Sequence, residues 1–238
     1  MKPVTKMALF IAMVAGMVSC KKDHIGEGPI TTEARTVNNF SGIDLQMNGN
    51  VYYQNAANWK VEVIAKESIH DILETTVNNG RLIVRYRNGK TYDNDESIRI
   101  NVSGPGVNSF SLNTSGNIFC LNSIQTDHLY LRSSGSGRIV LQHVAANMIE
   151  AESKTSGRIT ATGGFTINEK LKTDGSGKID LSAITSKNVT ARIVGSGDIK
   201  VKVSDRLDAT IDGSGSVFFN GSPLISSHIN GTGRLIRF

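Results

Sequence analysis

The sequence predicts an all-β fold, a parallel β-helix (β-solenoid) of about 20 residues per coil that we expect to be right-handed, preceded by a β-rich starting and capping segment. A Gly-Ser-Gly motif recurs at a nearly constant interval over the C-terminal half of the 238-residue chain. Apolar and polar residues alternate on both sides of each motif, as they do in strands. Outward positions of neighbouring repeats carry opposite charges, which stacked strands favour.

Residues 1–19 resemble a secretory signal peptide, with Lys2 and Lys6 ahead of an apolar run that is too short to span a bilayer. The run ends in Met17-Val18-Ser19-Cys20, which resembles a lipobox with Met17 in place of the usual Leu. We therefore predict that Cys20 becomes the mature N-terminus and carries a lipid anchor. The alternative is an ordinary signal peptide followed by an incidental cysteine.

Residues 20–35 are predicted to form the lipidated cysteine and a flexible tether, because they are polar, include Gly26, Gly28 and Pro29, and lack an apolar period. Cleavage would remove two lysines and no acids, which lowers the formal net charge from +5 to +3. That charge is too small to indicate nucleic-acid binding. Lipidation of Cys20 would leave Cys120 without a partner, so no disulfide framework is expected.

Residues 36–238 are predicted to form a single solenoid domain, since no linker interrupts them. Residues 40–53 already have the coil pattern around Gly49, and the irregular stretch that follows is expected to start and cap the solenoid. Its predicted elements are a strand at 60–65, a short helix or loop at 68–74, a turn at 78–80, a strand at 81–87, a polar loop at 87–96 and a strand at 97–102.

The last glycine of each motif marks the repeat. These structural turn glycines are Gly116, Gly137, Gly157, Gly177, Gly197, Gly215 and Gly233, at intervals of 21, 20, 20, 20, 18 and 18 residues. An apolar residue stands two positions after every marker, beginning with Ile118 and Ile139. The alternation on both sides predicts two strands per coil that meet at a glycine turn, with Cys120 inside the core as a small apolar residue.

The outward positions contain two kinds of charge pattern. Opposite charges meet in the predicted register at Arg132/Glu152, Glu152/Lys172 and Glu150/Lys170. A second row holds three cations at one phase of successive coils, Arg138, Arg158 and Lys178. Such a like-charge ladder favours an anionic ligand, for example an acidic glycan or a lipopolysaccharide phosphate. The alternative is that these long side chains spread into water.

Sugar-stacking aromatic residues are a further candidate, at Tyr52, Tyr53 and Trp59, with packing in the core or cap as the alternative.

The sequence disfavours several other kinds of site. The glycine motifs lack the Lys-Ser/Thr ending and the following helix of a phosphate loop, and the residues after the markers are not the aspartates of calcium-binding repeats. Asp180 and Asp198 are the nearest candidates for an acid pair, but Lys178 and Lys200 adjoin them. The histidines fall at unrelated phases of the repeat, so no metal site, catalytic residue or cofactor is predicted.

At this point the chain resembles a known family, the putative auto-transporter adhesin, head GIN domain family of bacterial envelope lipoproteins. The resemblance covers about residues 36–238 and depends on Phe40-x-x-Ile43, Val61-x-Val63, Asn79-Gly80-x-Leu82-x-Val84, residues 98–105 and the repeated Gly-Ser-Gly-x-Ile units. It implies an exported β-helix and brings no catalytic residues with it.

The leading functional hypothesis is a non-enzymatic cell-envelope lipoprotein that presents a β-helical surface for adhesion or for binding glycans or matrix. The expected location is the outer membrane, with the protein facing either the outside or the periplasm. One alternative is a periplasmic scaffold that binds another envelope protein, and a less favoured one is a carbohydrate-active β-helix enzyme. The expected partners are the membrane, through the lipid, and glycans or other envelope or extracellular proteins, with no nucleic acid.

Overall fold

A computed structural model describes residues 26–92 and 98–238, which form one 17-stranded sheet wound into a β-solenoid of about six turns. The only helix of the described residues, α1, spans Glu67–His70. The strands are β1 (Ile30–Arg35), β2 (Gly42–Leu45), β3 (Asn50–Asn55), β4 (Lys60–Lys66), β5 (Leu73–Asn78), β6 (Arg81–Tyr86), β7 (Arg99–Gly104), β8 (Ser109–Leu112), β9 (Asn117–Ser133), β10 (Arg138–Ser153), β11 (Arg158–Ala161), β12 (Gly164–Gly175), β13 (Lys178–Gly195), β14 (Asp198–Gly213), β15 (Ser216–Asn220), β16 (Leu224–Gly231) and β17 (Arg234–Arg237).

Each coil from β9 to β14 has three inward-facing segments, so the prediction of two strands per coil is wrong for these coils. In the coil of β9 the parallel pairing continues through residues 117–120, 123–126 and 128–133, which we call faces A, B and C. Face B was missed because it is short and buries little more than one apolar side chain, Ile124, between its bends. A period-two pattern needs several consecutive alternations to be visible in a sequence.

The coils stack in register at the marker glycines. Ile118, Ile139, Ile159 and Ile179 pair in sequence down face A and are buried, which confirms the predicted internal ladder. A Cβ atom on Gly137 would meet the carbonyl oxygen of Gly116 in the coil before it, well inside contact distance. The marker glycines are thus needed because neighbouring backbones approach closely at the corner.

The change of interval from 20 to 18 residues is absorbed on face B. Between β13 and β14 the register shifts after Asp180 and again after Ser186, whereas the pairing on face C continues without a break from Asn188 onward. Faces A and C therefore keep their stacking while face B shortens. The glycine corner between faces C and A is the most regular part of every coil.

The N-terminal segment begins and covers the solenoid, as predicted. The first coil consists of β2 and β3, which pair with β8 and β9, so the chain leaves the solenoid after Asn55 and rejoins it at Ser109. Within this excursion β6 and β7 add parallel strands to β2 and β3. Antiparallel strands then close the end, because β4 pairs with β7, and β5 pairs with β6.

The predicted local elements of this segment are present in the described residues. The turn at 78–80 joins β5 to β6, and both Asn79 and Gly80 have positive φ angles, of 49° and 71°. Two positive φ values in succession are typical of the two-residue hairpin turn that Asn-Gly favours. Residues 93–96 of the predicted loop at 87–96 and residue 97 of the predicted strand at 97–102 lie outside the described residues, and β7 begins at Arg99.

Residues 30–35 differ from the prediction of a flexible tether. They form β1, which pairs antiparallel with β4 over Ile30 to Arg35. Nearly all residues of β1 are exposed, so backbone hydrogen bonds to the edge of β4 hold the strand and no apolar alternation reveals it in the sequence. The rest of the predicted tether as far as residue 25, including Cys20, and the signal segment 1–19 lie outside the described residues.

The opposite end of the solenoid is open in the structure. All eight residues of β16 are exposed, including Ile225 and Ile229, whose partners Leu207 and Ile211 in the preceding coil are fully buried. Among the strands of residues 26–92 and 98–238, β16 and β17 each pair on one side only.

Candidate functional site

The three predicted cations form a continuous row on face A. Arg138 pairs in register with Arg158, and Arg158 with Lys178, so their backbones follow one another at the strand spacing of about 4.8 Å. Asn117 stands before this row and Asp198 after it. We call Arg138, Arg158 and Lys178 the cation ladder. Its side chains point outward beside the glycine corner, and all three residues are exposed.

The charges of the cation ladder are only partly balanced. Lys178 Nζ lies 3.2 Å from an oxygen of Asp198. Within residues 26–92 and 98–238, Arg138 and Arg158 make no ion pair. Asp180, the partner of Thr160 in the register, accepts from the Ser182 hydroxyl, which donates to its Oδ1 at 2.6 Å. Two adjacent guanidinium groups without a counter-ion repel one another, and an anion between them would remove that repulsion.

Face C carries the predicted rows of opposite charge. Arg132 lies 2.9 Å from Glu152, Lys172 lies 3.7 Å from Glu152, and Lys170 lies 3.9 Å from Glu150. All three predicted pairs are therefore confirmed. Exposed pairs of this kind contribute roughly 0.2–1 kcal/mol each, so they report the register of the coils more than they stabilise it.

A polar groove of about 860 Å³ lies where the first coil meets face C. Its floor consists of short side chains on β8, Ser109 and Ser111, between β2 and β9. On one side Arg81 reaches across Gly42 and donates from Nη1 to the Ser109 hydroxyl at 3.0 Å. The groove exists because small residues on β2 and β8 are flanked by long side chains on β6 and β9.

The other side of the groove is formed by β9, through Tyr130 and Arg132. Tyr130 is 43% exposed, and its ring stacks on His128 with 4.0 Å between the centroids and 12° between the planes. The stack fixes the orientation of the tyrosine ring while it leaves part of the ring open to solvent. The groove thus combines an exposed aromatic ring with planar polar groups.

Comparison with known protein families identifies the family to which this fold belongs. Residues 39–223 match the family described as putative auto-transporter adhesin, head GIN domain. The chain belongs to that family. The head GIN domain covers the coils as far as β15, together with most of the capping segment, and the earlier resemblance is confirmed.

Solved structures share the fold of this head GIN domain. A putative adhesin from Bacteroides fragilis has 22% identity and a TM-score of 0.82, with 90% of this chain and 99% of that chain covered. A putative adhesin from Parabacteroides merdae has 18% identity and a TM-score of 0.73, covering 90% and 98%. A putative lipid binding protein from Parabacteroides distasonis has 22% identity and a TM-score of 0.74, also covering 90% and 98%. No curated protein matches the chain.

These relatives are named as adhesins or binding proteins and not as enzymes, and the family indicates a protein of the cell envelope or cell surface. In the described part of the chain no helix is long and apolar enough to cross a membrane. Nor does any group of three or more His, Cys, Asp or Glu side chains stand close enough there to hold a metal ion.

The predicted aromatic platform is not assembled. Tyr53 points into the core, where its hydroxyl donates to the Gly104 carbonyl at 2.9 Å and burial raises its pKa to about 12. Trp59 packs on Phe40 with a centroid distance of 4.3 Å. Only Tyr52 faces outward, stacked on the Phe119 ring 5.1 Å away. Alternation along β3 separates Tyr52 from Tyr53 by sending neighbouring side chains to opposite faces.

The contacts in the structure account for two further candidates from the sequence, the acid pair and Cys120. Asp180 and Asp198 do not form an acid pair, since the first accepts from Ser182 and the second pairs with Lys178. Cys120 is buried in the core as predicted, and burial raises the pKa of its thiol, which keeps it protonated.

One buried group was not foreseen from the sequence. Glu169 occupies an inward row of face C, and it is only 2% exposed. The other buried members of the row are Leu129, Ile149, Val189 and Leu207. The Ser186 hydroxyl donates to its Oε1 at 2.5 Å, and within the described residues its Oε2 has no partner. Burial raises the pKa of Glu169 to about 8. The signal was available, because the eighth position before each marker from Gly137 onward is otherwise apolar.

Proposed function

We propose that this head GIN domain protein is a non-enzymatic, lipid-anchored adhesin of the outer membrane that binds anionic glycans through the cation ladder. The observation that carries the proposal is the register of Arg138, Arg158 and Lys178, with two guanidinium groups that no carboxylate of the described chain neutralises. The neighbour named as a lipid binding protein supports the same chemistry, because lipid headgroups also present phosphate or carboxylate oxygens.

The spacing of the cation ladder selects an extended ligand. Charges separated by about 4.8 Å along the solenoid axis match a chain whose carboxylates or phosphates follow one another along that axis. A single small anion would balance the charge of only two neighbouring cations of the ladder. The rigid stack of coils holds the three cations in place, so little side-chain order is lost on binding apart from the ends of the side chains.

The test is a binding measurement with two polyanions on the mature protein. The triple variant Arg138→Ser, Arg158→Ser, Lys178→Ser should bind polygalacturonate or purified lipopolysaccharide at least about tenfold more weakly than the wild type, with a smaller dependence on salt. Polygalacturonate probes carboxylates, and lipopolysaccharide probes phosphates. Equal affinity of the triple variant and the wild type for both polyanions would contradict the proposal.

A matched control separates specific binding from overall charge. The variant Lys60→Ser, Lys187→Ser, Lys202→Ser removes the same charge from exposed positions that are not aligned with one another. It should bind both polyanions nearly as tightly as the wild type. If it loses as much affinity as the ladder variant, binding depends on net charge and the cation ladder is not a site.

The proposed anchor and location have their own test. Cys20→Ala should release the protein from the membrane fraction, and incorporation of labelled palmitate should be lost with it. Protease treatment of intact cells should digest the wild-type domain if it faces outward. Protection from the protease would instead favour the periplasmic scaffold.

A further inference from the structure

The groove between β6 and β9 has chemistry that differs from that of the cation ladder. Among its charged side chains, Arg132 pairs with Glu152, and Lys170 with Glu150. In residues 26–92 and 98–238 the two that make no ion pair are Arg81 and Asp44. They carry one positive and one negative charge, so the groove offers hydrogen-bonding groups of both kinds without a net demand for an anion.

The unpaired groups are held in fixed positions. Arg81 is oriented by the hydrogen bond that it donates to Ser109. Asp44 accepts from the side-chain amides of Asn113 and Gln46, each at 2.8 Å. A planar guanidinium and a planar carboxylate, each oriented by other side chains, can bind pairs of neighbouring hydroxyl groups without a loss of rotamer freedom.

Tyr130 supplies the apolar surface that a hydroxylated ligand needs. His128 covers one side of its ring, and the tyrosine still remains 43% exposed beside the groove. Tyr130 is the partner of Ser109 in the register of β8 and β9, and the Arg81 side chain reaches Ser109 from β6, on the far side of β2. The guanidinium is therefore held over the strand next to Tyr130, although the backbones of Arg81 and Tyr130 lie three strand spacings apart, about 14 Å.

We propose that this groove is a second binding site and that it takes a neutral sugar ring, with one face on Tyr130 and its hydroxyl groups on Arg81 and Asp44. A pyranose has apolar C–H groups on its ring face and hydroxyl groups at its edge, which matches an aromatic ring beside planar polar groups. The inference deepens the proposed adhesin function and rests on it in assigning the surface to glycans. It assigns different residues and predicts a different response to salt.

The experiment titrates the mature protein by calorimetry with four neutral tetrasaccharides, namely cellotetraose, maltotetraose, mannotetraose and lacto-N-neotetraose. At least one should bind saturably, and Tyr130→Ala should weaken that binding by about tenfold. Tyr130→Phe keeps the ring and should stay within about twofold of the wild type. The affinity should change little between about 0.05 M and about 0.5 M salt, because no net charge is neutralised.

Two controls make the result specific to the groove. Tyr52→Ala removes an outward aromatic residue from face A and should leave sugar binding unchanged. Ser109→Gln fills the floor of the groove on the outside of the sheet, and it should abolish sugar binding while the circular dichroism spectrum stays that of the wild type.

The failure of this inference can be told from failure of the proposed function. If none of the four sugars binds, or if Tyr130→Ala binds as the wild type does, the groove site is overturned, whatever the polyanion result. The ladder variant should retain neutral-sugar binding. Loss of sugar binding in that variant, with the groove residues intact, would contradict the assignment of two separate sites.

Discussion

From β9 onward each coil lies on the one before it at corners made of glycines and small side chains. The region before β9, in contrast, holds the largest fully buried side chains, Tyr53, Phe40 and Phe110. In the repeated coils, the backbone itself forms the contact at each corner. In the first region, large rings fill the space between strands that do not repeat, and Tyr53 and Phe110 lie 5.4 Å apart. The comparison shows that one sheet can be kept in register in two ways. At its corners the repeated region depends on the absence of side chains, and the first region depends on the size of its rings.

Substitution of a marker glycine is the strongest test of this difference between the two regions. Gly137→Ala places a Cβ against the backbone of Gly116, which cannot move without displacing the coil before it. We expect the largest effect here, a loss of more than about 4 kcal/mol in the free energy of unfolding or failure to fold. The measurement is urea unfolding followed by circular dichroism.

Gly163→Ala is the matched control, because its Cβ would meet nothing closer than His143 Nδ1, at 3.5 Å, and its φ is not in the left-handed region. It should change the free energy of unfolding by less than about 1 kcal/mol. Equal effects of the two substitutions would show that marker glycines have no special part in stacking.

Removal of a large ring from the first region should be the next largest effect. Phe110→Ala opens a cavity beside Tyr53 and should lower the free energy of unfolding by about 3–5 kcal/mol. Ala151→Gly in the coils is the contrasting change, since it removes one methyl group from a buried position and should cost about 1 kcal/mol. If Phe110→Ala is as mild as Ala151→Gly, the first region does not depend on the size of its side chains.

The smallest expected effect concerns Glu169, a carboxyl group in an inward row that is otherwise apolar. The folded-state pKa of Glu169, about 8, lies above the ordinary value of 4.5. The folded protein therefore binds the proton more tightly than the unfolded chain does, and stability should fall as the pH rises from about 4.5 to about 8. Glu169→Gln should remove this dependence and be more stable than the wild type by about 1–3 kcal/mol at pH 8.

The pH effect has a control on the same face. Glu150→Gln changes a carboxylate that is 36% exposed in its side chain, so the profile of stability against pH should stay close to that of the wild type. The same slope in the wild type and in Glu169→Gln would contradict the assignment of the titration to Glu169.

The sequence was most informative where the same pattern of residues recurs in successive coils. The spacing of the markers, the isoleucine row and the opposite charges at Arg132 and Glu152 each follow from the condition that successive coils coincide, so several repeats report the same register. Face B was missed because it has no such redundancy. Strand β1 was missed because backbone hydrogen bonds to β4 and polar contacts of Glu33 and Arg35 with His70 hold it, and neither leaves an apolar alternation in the sequence.

The candidate sites differ in the same way. The cation ladder could be predicted because its members occupy one phase of the repeat. The groove could not, since Arg81 and Asp44 come from strands outside the repeat and meet Tyr130 only through the pairing of β2, β6 and β8 with β9. Glu169 had a visible signal in its apolar row, but its row had not been assigned to the interior.

The excursion of the chain between Asn55 and Ser109 has a consequence for the order of folding. Neighbouring coils join residues about 20 positions apart, whereas Asn50 meets Asn117 across 67 positions. Closing the longer loop costs about 1 kcal/mol more in chain entropy. We therefore expect the repeated coils to assemble first, through contacts local in the sequence, and the first coil to dock on them later. Strands β2 and β3 are synthesised before the repeated coils, but they meet β8 and β9 only when the whole excursion has been made, so the start of the domain is the part that is completed last.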